Sequence, residues 1–132
     1  IGRATAHAFA EAGYRVIVTD ILERPEGLEL GGDLREVTIM MSDIRGFTTL
    51  SEHLAPAQVV TMLNRYLGAM TDIILAHQGT IDEFIGDAIL AVFGAPQTRE
   101  DDADRAVQCA LAMQAAMADI NRANEADGLP AV

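Results

Sequence analysis

At 132 residues, half of them hydrophobic, the chain is long enough for one domain with its own core. Nine Lys and Arg against 20 Asp and Glu leave a net charge of −11, which argues against nucleic acid and anionic membrane surfaces as partners, since both require clustered basic side chains. The single cysteine, Cys109, excludes an intrachain disulfide and a cysteine-based metal site and suits a reducing cytoplasm.

The chain begins at Ile1 without Met, as expected of a piece of a longer polypeptide, and shows no secretory leader pattern. Residues 2–12 predict an Ala-rich helix that Gly13 ends, and Tyr14–Asp20 predicts a short buried strand. Residues 23–34 hold Pro25, Gly27, Gly31 and Gly32 and predict a loop. In residues 36–44, Val37, Ile39 and Met41 alternate with Thr38, Met40 and Ser42, and the apolar excess predicts a strand buried on both faces. Residues 45–49 predict a loop or a tight helix entry.

Pro56 suits the first turn of a long helix running to about His77. Its apolar face is expected to be Val60, Leu63, Leu67, Met70 and Ile74, with Gly79 as the stop. Asp, Asn or Arg breaks the longest apolar stretches, so no bilayer span of about 20 residues is expected. Residues 80–93 predict a β-hairpin turning at Gly86-Asp87. Asp101, Asp102 and Asp104 suit a helix N-terminus. That helix is expected to run to about Asn124, with Ala106, Ala110, Met113, Met117 and Ile120 on one face. Cys109 and all six methionines fall in apolar patterns and are expected in the core. Leu129–Val132 reads as the approach to a further strand.

The chemistry concentrates in two acids. Asp43 follows directly on a hydrophobic strand, where a carboxylate is costly unless it is paired or holds a cation. Gly46, three residues on, permits a close backbone approach, and the amides after it can face an anion. An acid beside a phosphate-cradling loop suits magnesium, which takes carboxylate and phosphate oxygens. The second acid, Asp87, sits at the hairpin tip. Taken alone, Gly86-Asp87 fits a type I′ turn better than a ligand. If the hairpin lies beside the strand ending at Asp43, however, the two carboxylates converge into a two-cation site for in-line phosphoryl displacement.

The stretches REVTIMMSDIRGFTTLSE (35–52), LNRYLGAM (63–70) and GTIDEFIGDAILAVFGAP (79–96), followed by the helical stretch 101–124, resemble the class III adenylate/guanylate cyclase catalytic domain. The resemblance covers residues 27–132. It implies an α+β, ferredoxin-like βαββα portion of such a domain, preceded by a short helix–strand leader. It also implies a lyase that converts ATP or GTP to the cyclic 3′,5′-monophosphate and pyrophosphate for intracellular signalling in the cytoplasm. By that resemblance Asp43 and Asp87 are the catalytic ligands of two Mg²⁺ or Mn²⁺ ions, with the Ile44 carbonyl as a further ligand. Gly46, Phe47 and Thr48 would bind phosphate through their amides. The catalytic unit would be a head-to-tail dimer, with a homodimeric or cyclase-domain partner completing the site.

Glu83 occupies the family's base-selecting position. A carboxylate accepts from guanine N1–H and N2–H and faces an acceptor in adenine N1, so Glu83 leans towards GTP; a solvent-facing strand glutamate with no such role is the alternative, and ATP versus GTP stays open. The family pattern continues past Val132 with a ribose-orienting Asn and a transition-state Arg, so this chain alone is expected to be inactive or nearly so. A non-catalytic module that binds metal, nucleotide or a partner chain is the alternative.

Residues 1–26 read separately. Gly2 through Asp20 resembles the start of a short-chain dehydrogenase, in which Gly2 would close the glycine loop and Asp20 would bind the adenosine ribose of NAD. The earlier glycines and a Tyr-xxx-Lys pair are absent, so NAD binding, and with it an NAD-binding oxidoreductase fragment, is the weaker reading.

Overall fold

The structure is a computed structural model that describes Arg15–Val16 and residues 35–132. The expected helix 2–12, the NAD-like positions Gly2 and Asp20, and the loop 23–34 lie outside the described residues.

Strand β1 (Arg15–Val16) pairs antiparallel with β2 (Arg35–Glu36). After Val37, which is buried, the chain changes partner and continues as β3 (Thr38–Ser42). The single strand expected over 36–44 is therefore two pieces in two ladders. Alternation of side chains marks extended backbone but carries no signal of a change of neighbour.

Three strands form the main sheet. β3 pairs antiparallel with β5 (Ala88–Phe93), which pairs antiparallel with β4 (Thr80–Ile85), in the order β3-β5-β4. Central β5 reads AILAVF because both of its faces meet other residues. Ile89, Ala91 and Phe93 are fully buried on the face that meets the helices. The register sets Met41, Leu90 and Glu83 in one row on the opposite face. An irregularity between Ile81 and Glu83 shifts the register of β4.

The hairpin turns at Gly86-Asp87 as expected, but with Gly86 at φ 66 and Asp87 outside the positive-φ region. That is the sign pattern of a type II′ turn, not type I′, and glycine belongs at its first position.

A short helix, α1 (Phe47–Ser51), follows the left-handed Gly46 at φ 73. Helix α2 (Pro56–Ala76) starts at Ala55, whose amide donates to Gln58 Oε1 at 3.0 Å, with Pro56 in the first turn. Its buried stripe is Met62, Tyr66, Met70 and Ile74 at four-residue intervals. Val60, expected in the stripe, is 56% exposed. The apolar pattern of α2 fits two neighbouring rotations about its axis, and packing on the sheet selects the one that buries Met62 and Tyr66. Contrary to the expectation that no span is present, α2 is long and apolar enough to cross a bilayer by length and composition. Here its stripe closes the core instead.

The end of α2 corrects a second expectation. The left-handed residue is Gln78, at φ 60. Gly79 serves a different need: a Cβ there would lie 2.8 Å from Phe93 Cζ and 2.9 Å from Ile74 Cγ2, so glycine lets the chain pass between helix and sheet.

Helix α3 (Asp102–Ala126) packs beside α2 on the same sheet face, burying Ala106, Cys109, Met113 and Ile120. Arg105 ties these parts together. Its Nη1 donates to the carbonyls of His77 (2.8 Å) and Gln78 (3.1 Å), its guanidinium pairs with Asp101 and Asp102, and it stands 5.7 Å over the Phe93 ring. The order βαββα with two helices on one face is the expected architecture.

Candidate functional site

Asp43 stands one residue beyond the end of β3, and Asp87 stands at the turn between β4 and β5. Because β3 and β5 are neighbours, with Ser42 opposite Ile89, the two positions come to the same end of the sheet. They meet on one donor. The Ile44 amide donates to Asp43 Oδ1 at 3.0 Å and to Asp87 Oδ2 at 3.3 Å. Burial, first of all, and then the hydrogen bond and charge of Asp43, hold the Asp87 carboxyl above its usual range, while the amides of Asp87 and Ile44 offset part of this. A hydrogen bond between two carboxyls requires a shared proton, so this pair holds one more readily than separate acids would.

The donor set suits a hard divalent cation. It consists of carboxylate oxygens, and two acids forced together gain from a cation between them. Among the described residues no group of three or more His, Cys, Asp or Glu side chains could hold a metal. The Ile44 carbonyl already accepts from the Phe47 amide at 3.3 Å and retains a second lone pair.

The loop after the strand is anchored from below. Ile44 and Phe47 are buried at 5% and 7%, whereas Arg45, Gly46 and Thr48 face solvent. Gly46 has open space around it and a φ of 73 that favours glycine. The Phe47 amide turns back to Ile44, and the Thr48 carbonyl accepts from Ser51 Oγ at 2.8 Å.

Glu83 is exposed on β4, in the row that runs through Leu90 to Met41. Two strand spacings, about 10 Å, separate its backbone from that of β3. The structure thus brings Asp43, Asp87 and Ile44 together, with the 46–48 loop beside them, and sets Glu83 apart on the same sheet.

One residue of this region carries no functional expectation in the sequence. Tyr66, in the buried stripe of α2, places its hydroxyl 3.3 Å from Ser42 Oγ, next to Asp43. The available signal was a phenol in an otherwise aliphatic stripe, since a buried hydroxyl needs a partner.

Comparison with known proteins identifies the family and the fold. The family described as "Adenylate and Guanylate cyclase catalytic domain" matches residues 32–129. Adenylate cyclase 1 of Rhizobium meliloti (strain 1021) is 42% identical over 96 residues, covering 73% of this chain and 14% of that protein. The crystal structure of the guanylyl cyclase Cya2 superposes with a TM-score of 0.75 at 52% identity, covering 77% of this chain and 52% of that one. The adenylyl cyclase CyaB from P. aeruginosa superposes with a TM-score of 0.70 at 40% identity, covering 73% of this chain and 50% of that one. The chain therefore spans about half the length of these solved chains and a much smaller share of the curated relative.

Proposed function

We propose that this chain, which belongs to the adenylate and guanylate cyclase catalytic domain family, is the cation-holding portion of a class III nucleotidyl cyclase. In this reading residues 27–132 form the cyclase part, and residues 1–26 precede it as a separate segment. The carrying observation is the convergence of Asp43 and Asp87 on the Ile44 amide.

Asp43, Asp87 and the Ile44 carbonyl would hold two Mg²⁺ or Mn²⁺ ions. Bound there, such cations neutralise triphosphate charge and ease ionisation of a hydroxyl nucleophile. The chain's own residues bind and orient. The 46–48 loop would offer the Gly46 and Thr48 amides to phosphate oxygens, while the Phe47 amide is engaged by the Ile44 carbonyl and Phe47, buried beneath the loop, keeps it in place. In the reaction the ribose 3′-oxygen loses its proton and bonds to the α-phosphorus. The bond from that phosphorus to pyrophosphate breaks, and the cyclic 3′,5′-monophosphate remains.

Glu83 supports GTP as the nucleotide. It is exposed, it lies about two strand spacings from β3, and its carboxylate complements guanine's two donors. The 52% identity to the guanylyl cyclase Cya2 points the same way, whereas CyaB and adenylate cyclase 1, at 40% and 42% identity, are adenylyl cyclases.

The sheet face opposite the helices suits a second cyclase domain, since Met41 and Ile85 are 63% and 49% exposed there. A head-to-tail pairing through this face, in the cytoplasm, completes the reading.

The test is nucleotide binding to the purified 132-residue chain, with and without Mn²⁺, followed by cyclic-nucleotide assay. Binding that requires Mn²⁺, prefers GTP and disappears in Asp43→Ala and Asp87→Ala supports the reading, and metal-independent binding overturns it. A second reading is a module that binds cation and nucleotide without turnover. Turnover by the chain alone would remove it.

A further inference from the structure

Tyr66 occupies the middle of the buried stripe of α2 and is 3% exposed. Phenylalanine would fill the same space without burying a hydroxyl, which needs a hydrogen-bond partner in a core. That partner is Ser42 Oγ, at 3.3 Å. Ser42 is the last residue of β3 and is bonded to Asp43. In the described sheet β3 is an edge strand, with β5 on one side only. Its pairing through Ser42 and Ile89 holds that end laterally, and the Tyr66 hydroxyl meets it from the helix side.

The surroundings agree with a role at the carboxylates. Burial, first of all, raises the phenol above its ordinary value, the bond to Ser42 offsets part of this, and the charges of Asp43 and Asp87 raise it further. The hydroxyl therefore keeps its proton and lies within electrostatic reach of both acids. Tyr66, Ser42, Asp43 and Ile44 also line one cavity of about 610 Å³.

We propose that Tyr66 is a positioning residue for the carboxylate pair. Its hydroxyl, through Ser42 Oγ, fixes the end of β3 and thereby the direction in which Asp43 leaves the sheet towards Asp87 and a divalent cation. This rests on Asp43 and Asp87 being cation ligands, and the test separates the two ideas.

Mn²⁺ is titrated into the 132-residue chain while free Mn²⁺ is followed by electron paramagnetic resonance, and thermal midpoints are measured on the same samples. Tyr66→Phe and Ser42→Ala should each weaken Mn²⁺ binding about 3–10-fold, the range of one hydrogen bond. The double variant should be no weaker than either single one, because both remove the same contact. Ile120→Val, a core change away from the acids, should lower the midpoint but leave Mn²⁺ affinity within about twofold. Unchanged affinity in Tyr66→Phe, alongside lost affinity in Asp87→Ala, overturns the positioning role alone. Equal weakening by Ile120→Val also overturns it. Full Mn²⁺ affinity in Asp43→Ala and Asp87→Ala overturns the cation reading, and this proposal with it.

Discussion

Asp43 and Asp87, 44 positions apart in the chain, accept hydrogen bonds from the same backbone amide, that of Ile44. The strand pairing between β3 and β5 carries the two acids to one place, and one N–H serves both carboxylates. The arrangement stores like charge at the spot where a cation would relieve it.

Neutralising one acid should therefore separate function from stability. Asp87→Asn keeps the shape of the side chain and removes its charge. In the presence of a chelator at neutral pH, the variant should melt higher than the native chain, because the ionised pair no longer has to be held together. Its Mn²⁺ affinity should fall by more than the roughly 10–100-fold that loss of an outer-shell partner produces. Thermal melts and Mn²⁺ titrations on one preparation check both halves, and a variant that melts lower and binds normally contradicts both.

The same pair predicts the sign of a pH dependence. The Asp87 carboxyl is held above its ordinary value of 3.8 in the folded chain. Between that value and the folded one, the folded chain holds more proton than the unfolded chain. The stabilisation from Asp87 is thus complete below 3.8 and is lost as pH rises through the folded value. Saturating Mn²⁺ binds the ionised pair and reverses the slope. The measurement is the difference in midpoint between the native chain and Asp87→Asn across mildly acidic pH, with and without Mn²⁺. A difference that is flat with pH in both conditions contradicts the prediction.

Gly79 tests the packing of helix against sheet. A Cβ at this position meets the Phe93 ring at 2.8 Å and Ile74 at 2.9 Å, and all three residues are buried. Gly79→Ala should destabilise the fold by about 1–3 kcal/mol, the usual result of overfilling a core. Phe93→Leu, itself destabilising, should cost less in the Gly79→Ala background than alone. Urea denaturation of the four chains measures the coupling, and strict additivity contradicts the contact.

Arg105 tests the joint between α2 and α3. It serves the carbonyls of His77 and Gln78 and pairs with Asp102, which is 7% exposed and also accepts from the Arg99 amide at 2.9 Å. Arg105→Met removes the cation and leaves a buried carboxylate uncompensated, so a loss of about 3 kcal/mol is expected. Adding Asp102→Asn should recover part of it. Chemical denaturation reads both effects, and a loss under about 1 kcal/mol would mean that water replaces the arginine.

By itself the sequence determined the two long helices, the hairpin and the place of its turn at Gly86-Asp87, and it singled out the two acids as candidates. These depend on contiguous residues: apolar spacing, a first-turn proline, a glycine at a tight turn, and motif words in a fixed order. It also placed Cys109 in the core, where the structure finds it fully buried. The tertiary structure alone decided which rotation of α2 is buried, why Val60 lies outside and Tyr66 inside, and where the chain changes ladders at Val37. It likewise decided that Gln78, not Gly79, takes the left-handed conformation, because Gly79 is required for the approach to Phe93. The meeting of Asp43 and Asp87 on Ile44, the Tyr66–Ser42 contact and the reach of Arg105 to the end of α2 join residues 24 to 43 positions apart. No local pattern encodes such pairs. They form only when the sheet register and the helix rotation are set together by burial of one shared core.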